Sequence, residues 1–529
     1  MSGATIFPHN MGLGAANDPE LMERIGQATA REILATGVEW TFAPTLAVAR
    51  DDHWGRTYES YAEDPEIVGV LGAAIIRGLQ GGLAGDDGAI IACAKHWVGD
   101  GGTHLGFDQG ETTLPEETLR ALHIAPYYPA LAANVLTVMA SYNSWNGLKC
   151  HGHKYLLTDV LKNEMGFRGF VVSDWNGVEQ VAPKYVDAVQ LSVNAGVDMY
   201  MVPQKWQRHI EIMTQLVENG RIPMARIDDA VRRILRVKLA YGLFDRVRPA
   251  DRPHSNAASF GGADHRAIAR EAVRKSLVLL KNDGGLLPLG KDARILVAGK
   301  NADNLGHQCG GFTYAWQGTS GPDKLPGGTS IWTGIQQIAP GAVLSPDGEA
   351  AHKDRFDVAI VVIGERPYAE GMGDLRGSEE AATDAIAPGS APIPPPVAGG
   401  SGHIEDEEGT FVWQRMQAYG KVLDLAVNHP EDLEVLNRVT DQGIPVVLVL
   451  VSGRPLVMNE AIDQAQAFVA AFLPGTEGAG VADVLFGDHD FQGRLSFSWP
   501  VADLDNPNRG DDPDRARYPY GFGLRLSDR

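Results

Sequence analysis

Along the first half of the chain, short apolar runs alternate with amphipathic stretches, and each run ends in a cluster of polar residues. Residues 19–37 (PELMERIGQATAREILATG) repeat apolar positions at helical spacing and stop at Gly37. The run Ala89 to Ala94 reads as a strand leading into Lys95, His96 and a glycine-rich loop. VLTVMASYNSWNG repeats the pattern, with Tyr142, Asn143 and Trp145 after the strand. GFVVSDWNG repeats it again: Phe170, Val171 and Val172, then Ser173, Asp174 and Trp175. VDMYMV, with Asp198 inside it, is a further strand, and helices are expected at about 66–80 and at 224–243. Strand, polar loop and helix in repetition mark βα units and a parallel sheet. Arg56, Lys95 with His96, Tyr142 and Asp174 fall at the C-terminal ends of successive strands, which predicts a barrel with a site at one mouth.

The second half has a different texture. Residues 246–265, rich in Pro, Arg, Asp, Ser and Gly, read as a linker between domains at 1–245 and 266–529. Near-continuous apolar runs at 293–299, 356–364, 444–453 and 467–475 predict strands buried on both faces. Gly299 leads into KNADNLG, which lacks the glycine spacing of a dinucleotide site. Residues 375–410 are Pro/Gly-rich and acidic and read as a mobile loop, a lid or a wall of outer subsites.

Composition narrows the function classes. At 529 residues the chain is too long for one core. A net charge of -21 and a pI near 5.1 exclude the basic footprint of a nucleic-acid binder. No run approaches the roughly 18 apolar residues of a membrane span. Cys93, Cys150 and Cys309 have neither metal-ligand nor disulfide spacing and read as buried small hydrophobes. No metal or organic cofactor is implied. MSGATIFPHN reads as neither a signal nor a transit peptide, which favours the cytoplasm.

Asp174 is the first candidate for chemistry. A carboxylate at a strand's C-terminal end, flanked by an aromatic ring that can cover a sugar's apolar face, suits attack on a sugar. The competing reading is that Asp174 caps the next helix.

The blocks HWGRTYESYAEDP, AKHWVGDGGT, SYNSWNG, GFVVSDWNG, CGGFTYAWQG, GERPYAEGMGD, VSGRPL and LPGTEGAGVADVLFGD occur in this order. Together they resemble glycoside hydrolase family 3, in its exo-β-glucanase and β-glucosidase branch. The resemblance implies an α/β fold: a TIM-like β/α barrel, then an α/β sandwich domain, with the site between them. It implies hydrolysis with retention of configuration, Asp174 as nucleophile and Glu370 as acid/base. Arg56, Lys95, His96 and Tyr142 match residues holding the first sugar, and Trp175 and Trp316 match rings sandwiching the next. Retention needs two carboxyl groups about 5–5.5 Å apart. Lys95 and Arg56 would hold the pKa of Asp174 down, Tyr142 would hydrogen-bond its oxygen, and the acid would need a more apolar setting. Alternatives remain: Lys95–His96 as a structural ion pair with Asp100, Trp316 as interface packing, and Glu365, at the strand end, as the acid.

The implied activity is that of an exo-acting β-glucosidase or β-glucan glucohydrolase. A β-xylosidase or dual-specificity enzyme, or a non-catalytic sugar-binding protein, are the alternatives. The N-acetylglucosaminidase branch, with its acid/base His on the barrel, does not match AKHWVGDGG. The family is often secreted or periplasmic. Its first barrel strand, ending in a sugar-binding Asp, would lie before Met1, so the barrel is expected to be incomplete and a homodimer to cover the gap. Partners expected are a β-glucoside substrate and a second copy, not nucleic acid or membrane.

Overall fold

The computed structural model describes residues 2–82, 88–255, 260–321, 325–375, 400–404, 411–415, 418–504, 509–510 and 512–528. Its first half is a parallel arc of strands. Cys93–Trp97, Thr137–Ala140 and Phe170–Val172 pair in that order. Single bridges extend the arc, from Trp40 to Ile91 and Thr45 to Lys95 on one side and from Val172 to Met199 on the other. The strand expected at 89–94 is regular only from Cys93, so Lys95 and His96 lie within it and not in the loop beyond. Helices Pro19–Leu34 and Pro65–Gln80 start on Asp18 and Asp64, whose carboxylates accept from Leu21 N and Glu66 N, and both have proline in the first turn. They pack on the outward strand residues Ala92, Ala94, Val138 and Val171.

Inward residues Cys93, Met139, Phe170 and Val172 meet Val237 and Tyr241 of helix Met224–Ala240 and the turn after it. Arg233 donates to the Phe167 and Gly169 carbonyls, and Tyr241 to that of Ala89, all before their strands begin. The helix therefore closes the N-terminal end of the arc and leaves the C-terminal end for the site. VDMYMV is only a bridged extended segment. Asp198 within it is buried, accepting from Val171 N and paired with Lys162 at 2.9 Å.

The second half is a six-stranded sheet in the order Val278–Asn282, Ala467–Ala470, Val446–Val451, Val358–Gly364, Ile295–Ala298 and Val343–Leu344. All pairs are parallel except that of Val278–Asn282 with Ala467–Ala470. Both faces are apolar because helices cover both, as the unbroken runs predict. Helix Ala263–Ser276 packs on helices of both halves and runs straight into Val278–Asn282. Cys93, Cys150 and Cys309 are free and buried. Among the described residues no helix is long and apolar enough to cross a membrane. Most of the 375–410 segment lies outside the described residues. Strands Gly400–Ile404 and Phe411–Arg415 form an antiparallel hairpin, the first of them near Gly177–Gln180.

Candidate active site

Between the two halves lies a cavity of about 780 Å³, within the size range of small-ligand pockets. Arg56, Lys95, His96, Tyr142, Asp174, Trp175, Trp316 and Glu370 all line it. The first six come from the C-terminal ends of the barrel strands and their loops. Glu370 and Trp316 come from the sandwich domain.

Asp174 ends the strand Phe170–Val172. Its amide donates to His151 Nε2 at 2.9 Å, and Gly177 packs directly on that imidazole, where a Cβ would stand 2.5 Å from the ring. Oδ1 accepts from Trp175 N at 2.7 Å. Oδ2 is buried, has no hydrogen-bond partner among the described residues and lies 3.6 Å from His96 Nε2. The side chain makes no capping bond to the turn Gly177–Gln180 that follows. Helix capping is thus not what the carboxylate does. Tyr142 stands beside Asp174, as expected, and its hydroxyl has a second partner. It donates to the Trp175 carbonyl, from where the hydroxyl still favours the charged carboxylate.

The sequence places cations beside Asp174 and so suggests a low pKa. The structure corrects the direction. Burial raises the pKa of Asp174, and Arg56, the Trp175 amide, Lys95 and Tyr142 offset this only in part. His96 is held well below its usual range by burial and by the charges of Arg56 and Lys95, so it is neutral. Its Nδ1 pairs with Asp100 Oδ2 at 2.7 Å, which leaves Nε2 to accept from Arg56 Nη2 at 3.1 Å. The contact with Asp100 is therefore present, but it involves His96 alone and orients the ring within the site.

Glu370 opens a short turn, Glu370–Gly373, after the strand Val358–Gly364, with a left-handed φ of 54°. Its Oε1 lies 3.8 Å from Arg56 Nη1. Burial pushes its pKa up to about 8. Arg56 opposes the rise, while Asp108, Asp174 and Glu59 add to it. Glu365, the rival acid, is committed elsewhere. Its Oε2 accepts from Gly453 N and Tyr368 Oη, both at 2.8 Å, its Oε1 is 3.1 Å from Arg454 Nε, and it does not line the cavity. Arg454, fully buried, also donates to the Asp52 and His53 carbonyls of the barrel at 2.9 and 3.3 Å. Glu365 and Arg454 thus join the domains.

Trp175 and Trp316 are about half exposed at the cavity's rim, which is not the behaviour of interface packing. Sequence reading missed other lining residues, among them Gln109, Asn176, Gln180, Gln204 and Phe312. Phe312 lies under the Arg56 guanidinium, 5.6 Å from its centre, and Gln180 donates to Gln109 at 2.9 Å. Asn176 lies in GFVVSDWNG and Phe312 in CGGFTYAWQG, so the sequence carries a signal for both. Gln204 had none. Among the described residues, no three His, Cys, Asp or Glu side chains are grouped to hold a metal.

Two family models match, the glycosyl hydrolase family 3 N-terminal domain over residues 1–237 and its C-terminal domain over 277–527. The chain belongs to glycosyl hydrolase family 3. It is 31% identical to the lysosomal beta glucosidase of Dictyostelium discoideum, over 94% of this chain and 59% of that protein. It is 32% identical to a beta-xylosidase of Formosa agariphila, over 98% of this chain and 71% of that one. Among solved structures, the exo-1,3/1,4-beta-glucanase of a Pseudoalteromonas species matches with a TM-score of 0.88 and 45% identity, over all of this chain and 62% of the other. The beta-glucosidase of Listeria innocua matches at 0.79 and 26%, over 99% of this chain and 70% of that one. The chain thus spans about three fifths of the first curated relative and of the first structural neighbour. The family fold is a TIM-like domain followed by an α/β sandwich domain, as the sequence leads one to expect.

Proposed function

We propose that this chain is a retaining, exo-acting β-glucosidase or β-glucan glucohydrolase that releases glucose from the non-reducing ends of β-glucans or cello-oligosaccharides. One observation carries the reading: an open-faced Asp174 and a proton-retaining Glu370, from different domains, line one cavity beside two tryptophan faces. Asp174 Oδ2 attacks the anomeric carbon and the glycosidic bond breaks, while Glu370 gives its proton to the departing oxygen. Glu370, now a carboxylate, takes a proton from water, which attacks the anomeric carbon and frees Asp174. Arg56 and Lys95 supply donors for the hydroxyls of the first sugar, with neutral His96 beside them holding Arg56 in place until a sugar hydroxyl takes over its Nε2 acceptor, and Trp175 and Trp316 cover apolar ring faces. The names of the Dictyostelium, Pseudoalteromonas and Listeria proteins support the glucoside, and solved Listeria complexes hold glucose and laminaribiose.

The Formosa relative's name favours a second substrate, a β-xyloside. Nitrophenol release from aryl β-glucoside and aryl β-xyloside, by the parent and by Asp174→Asn, tests both. Faster glucoside turnover, lost in the variant, supports the reading. Faster xyloside turnover replaces the sugar. Turnover of neither returns the chain to a sugar-binding role.

We also infer self-association. Met224, Val231, Leu235 and Leu239 form an exposed apolar stripe along helix Met224–Ala240. Antiparallel pairing of two such helices would set Asp228 of one copy against Arg232 and Arg236 of the other. Light scattering across a concentration series is expected to show a dimer that Leu235→Glu dissociates. A compact monomer at every concentration contradicts it.

A further inference from the structure

The turn that carries Glu370 is held by a residue that does not reach the cavity. Asp374, four positions on, is 1% exposed and does not line the pocket. Its Oδ1 accepts from Gly55 N at 2.8 Å, and its Oδ2 accepts from Asp108 N at 3.0 Å. Both donors belong to barrel loops. Gly55 is next to Arg56, and Asp108, which accepts from Trp54 Nε1 at 3.2 Å, is next to Gln109 of the cavity wall. One carboxylate from the sandwich domain thus ties together the two barrel loops that flank Glu370.

The neighbouring contacts act in the same place. Leu375 N donates to the His53 carbonyl at 3.1 Å, and Arg454 Nη2 donates to the Gly373 carbonyl at 2.5 Å. Before Glu370, Ala369 N donates to Gln317 Oε1 at 2.7 Å, and Tyr58 Oη donates to the Tyr368 carbonyl at 3.0 Å. Glu370 itself holds a left-handed backbone that its side chain disfavours, so both flanks must be fixed for it to stay there. Of these anchors, only Asp374 uses two side-chain acceptors to bind two separate barrel loops. Burial, and after it the charge of Asp108, push the Asp374 pKa well above the ordinary carboxylate range, while the Asp108 and Gly55 amides and Arg454 oppose the rise.

We propose that Asp374 is the positioning residue that holds Glu370 in register with Asp174, by clamping the sandwich-domain turn onto the Gly55 and Asp108 amides of the barrel. The proposal rests on the glycosidase reading, in which Glu370 delivers and later removes a proton. It predicts a defect confined to steps that need that proton.

The full chain is compared with Asp374→Asn, which loses one of the two acceptors, and Asp374→Ala, which loses both. Competent sites are counted by trapping with a 2-fluoro-glucoside, so that misfolded protein drops out. Two substrates are used: 2,4-dinitrophenyl β-glucoside, whose leaving group needs no proton, and cellobiose, whose leaving group does. Per competent site, kcat/KM on cellobiose is expected to fall about 10²-fold in Asp374→Ala and less in Asp374→Asn, with kcat/KM on the aryl glucoside near the parent's. On the aryl glucoside kcat alone falls, because Glu370 must still activate water. Equal losses of kcat/KM on both substrates, or loss on neither, overturn the proposal. Hydrogen exchange of peptides covering 368–375 needs no turnover and judges the clamp even if the parent hydrolyses neither sugar. Faster exchange in Asp374→Ala supports it, and unchanged exchange overturns it.

Discussion

Arg56 and Glu370 come from different domains and meet with Nη1 3.8 Å from Oε1. The same guanidinium is held by Glu59, at 2.8 Å from Nε to Oε1 and 2.9 Å from Nη2 to Oε2, and it donates to His96 Nε2. Arg56 therefore couples the cavity wall of the barrel to Glu370 of the sandwich domain. Its charge opposes the rise in the Glu370 pKa, which burial and the surrounding carboxylates nevertheless carry to about 8.

That balance sets a pH profile. Glu370 keeps its proton below about pH 8 and loses it above, so kcat/KM on cellobiose is expected to fall as pH rises through that value. Asp174, raised by burial, must lose its proton to attack, so activity is also expected to fall on the acid side, above the ordinary carboxylate range. In Arg56→Lys a less delocalised cation meets Glu370 at longer reach, so the alkaline limb is expected to move up. A limb that stays put or moves down contradicts the role given to Arg56.

Gly55 allows the turn that carries Glu370 to approach the barrel. A Cβ there would stand 2.0 Å from the Glu370 carbonyl oxygen and 2.8 Å from Asp374 N. Gly55→Ala is expected to push the turn away, costing about 1–3 kcal/mol of stability and about 10²-fold in kcat/KM on cellobiose. Urea unfolding and steady-state kinetics check the two effects separately.

Much of the site was legible because its residues follow strands in a repeated pattern. Asp174, Lys95, His96 and Tyr142 could be placed from apolar runs alone, and Glu370 and Trp316 from motif blocks. The motif block favours Glu370 over Glu365, but Glu365 stays open as a rival in the sequence, because its partner Arg454 lies far along the chain and only the fold joins them. The direction of the Asp174 pKa is hidden from the sequence for a related reason. Neighbouring cations are visible in the sequence, but burial is not. The strand Val278–Asn282 was missed because helix Ala263–Ser276 runs into it with no turn residues between.

The Glu365–Arg454 pair should matter for stability more than for proton delivery. Arg454→Met leaves the Glu365 carboxylate buried without its cation and is expected to cost about 3–5 kcal/mol. Glu365→Gln should leave the ratio of aryl glucoside to cellobiose turnover unchanged. A selective loss on cellobiose in Glu365→Gln would make Glu365 the acid.

The proposed hydrolysis turns on attack by Asp174 on a sugar in this cavity. The most direct measurement is the mass of the chain after exposure to 2,4-dinitrophenyl 2-deoxy-2-fluoro-β-glucoside, followed by peptide mapping. The expected result is one fluoroglucosyl adduct per chain, on the peptide containing Asp174, with none in Asp174→Asn. An adduct on another carboxylate, or steady hydrolysis with no adduct at all, would contradict it.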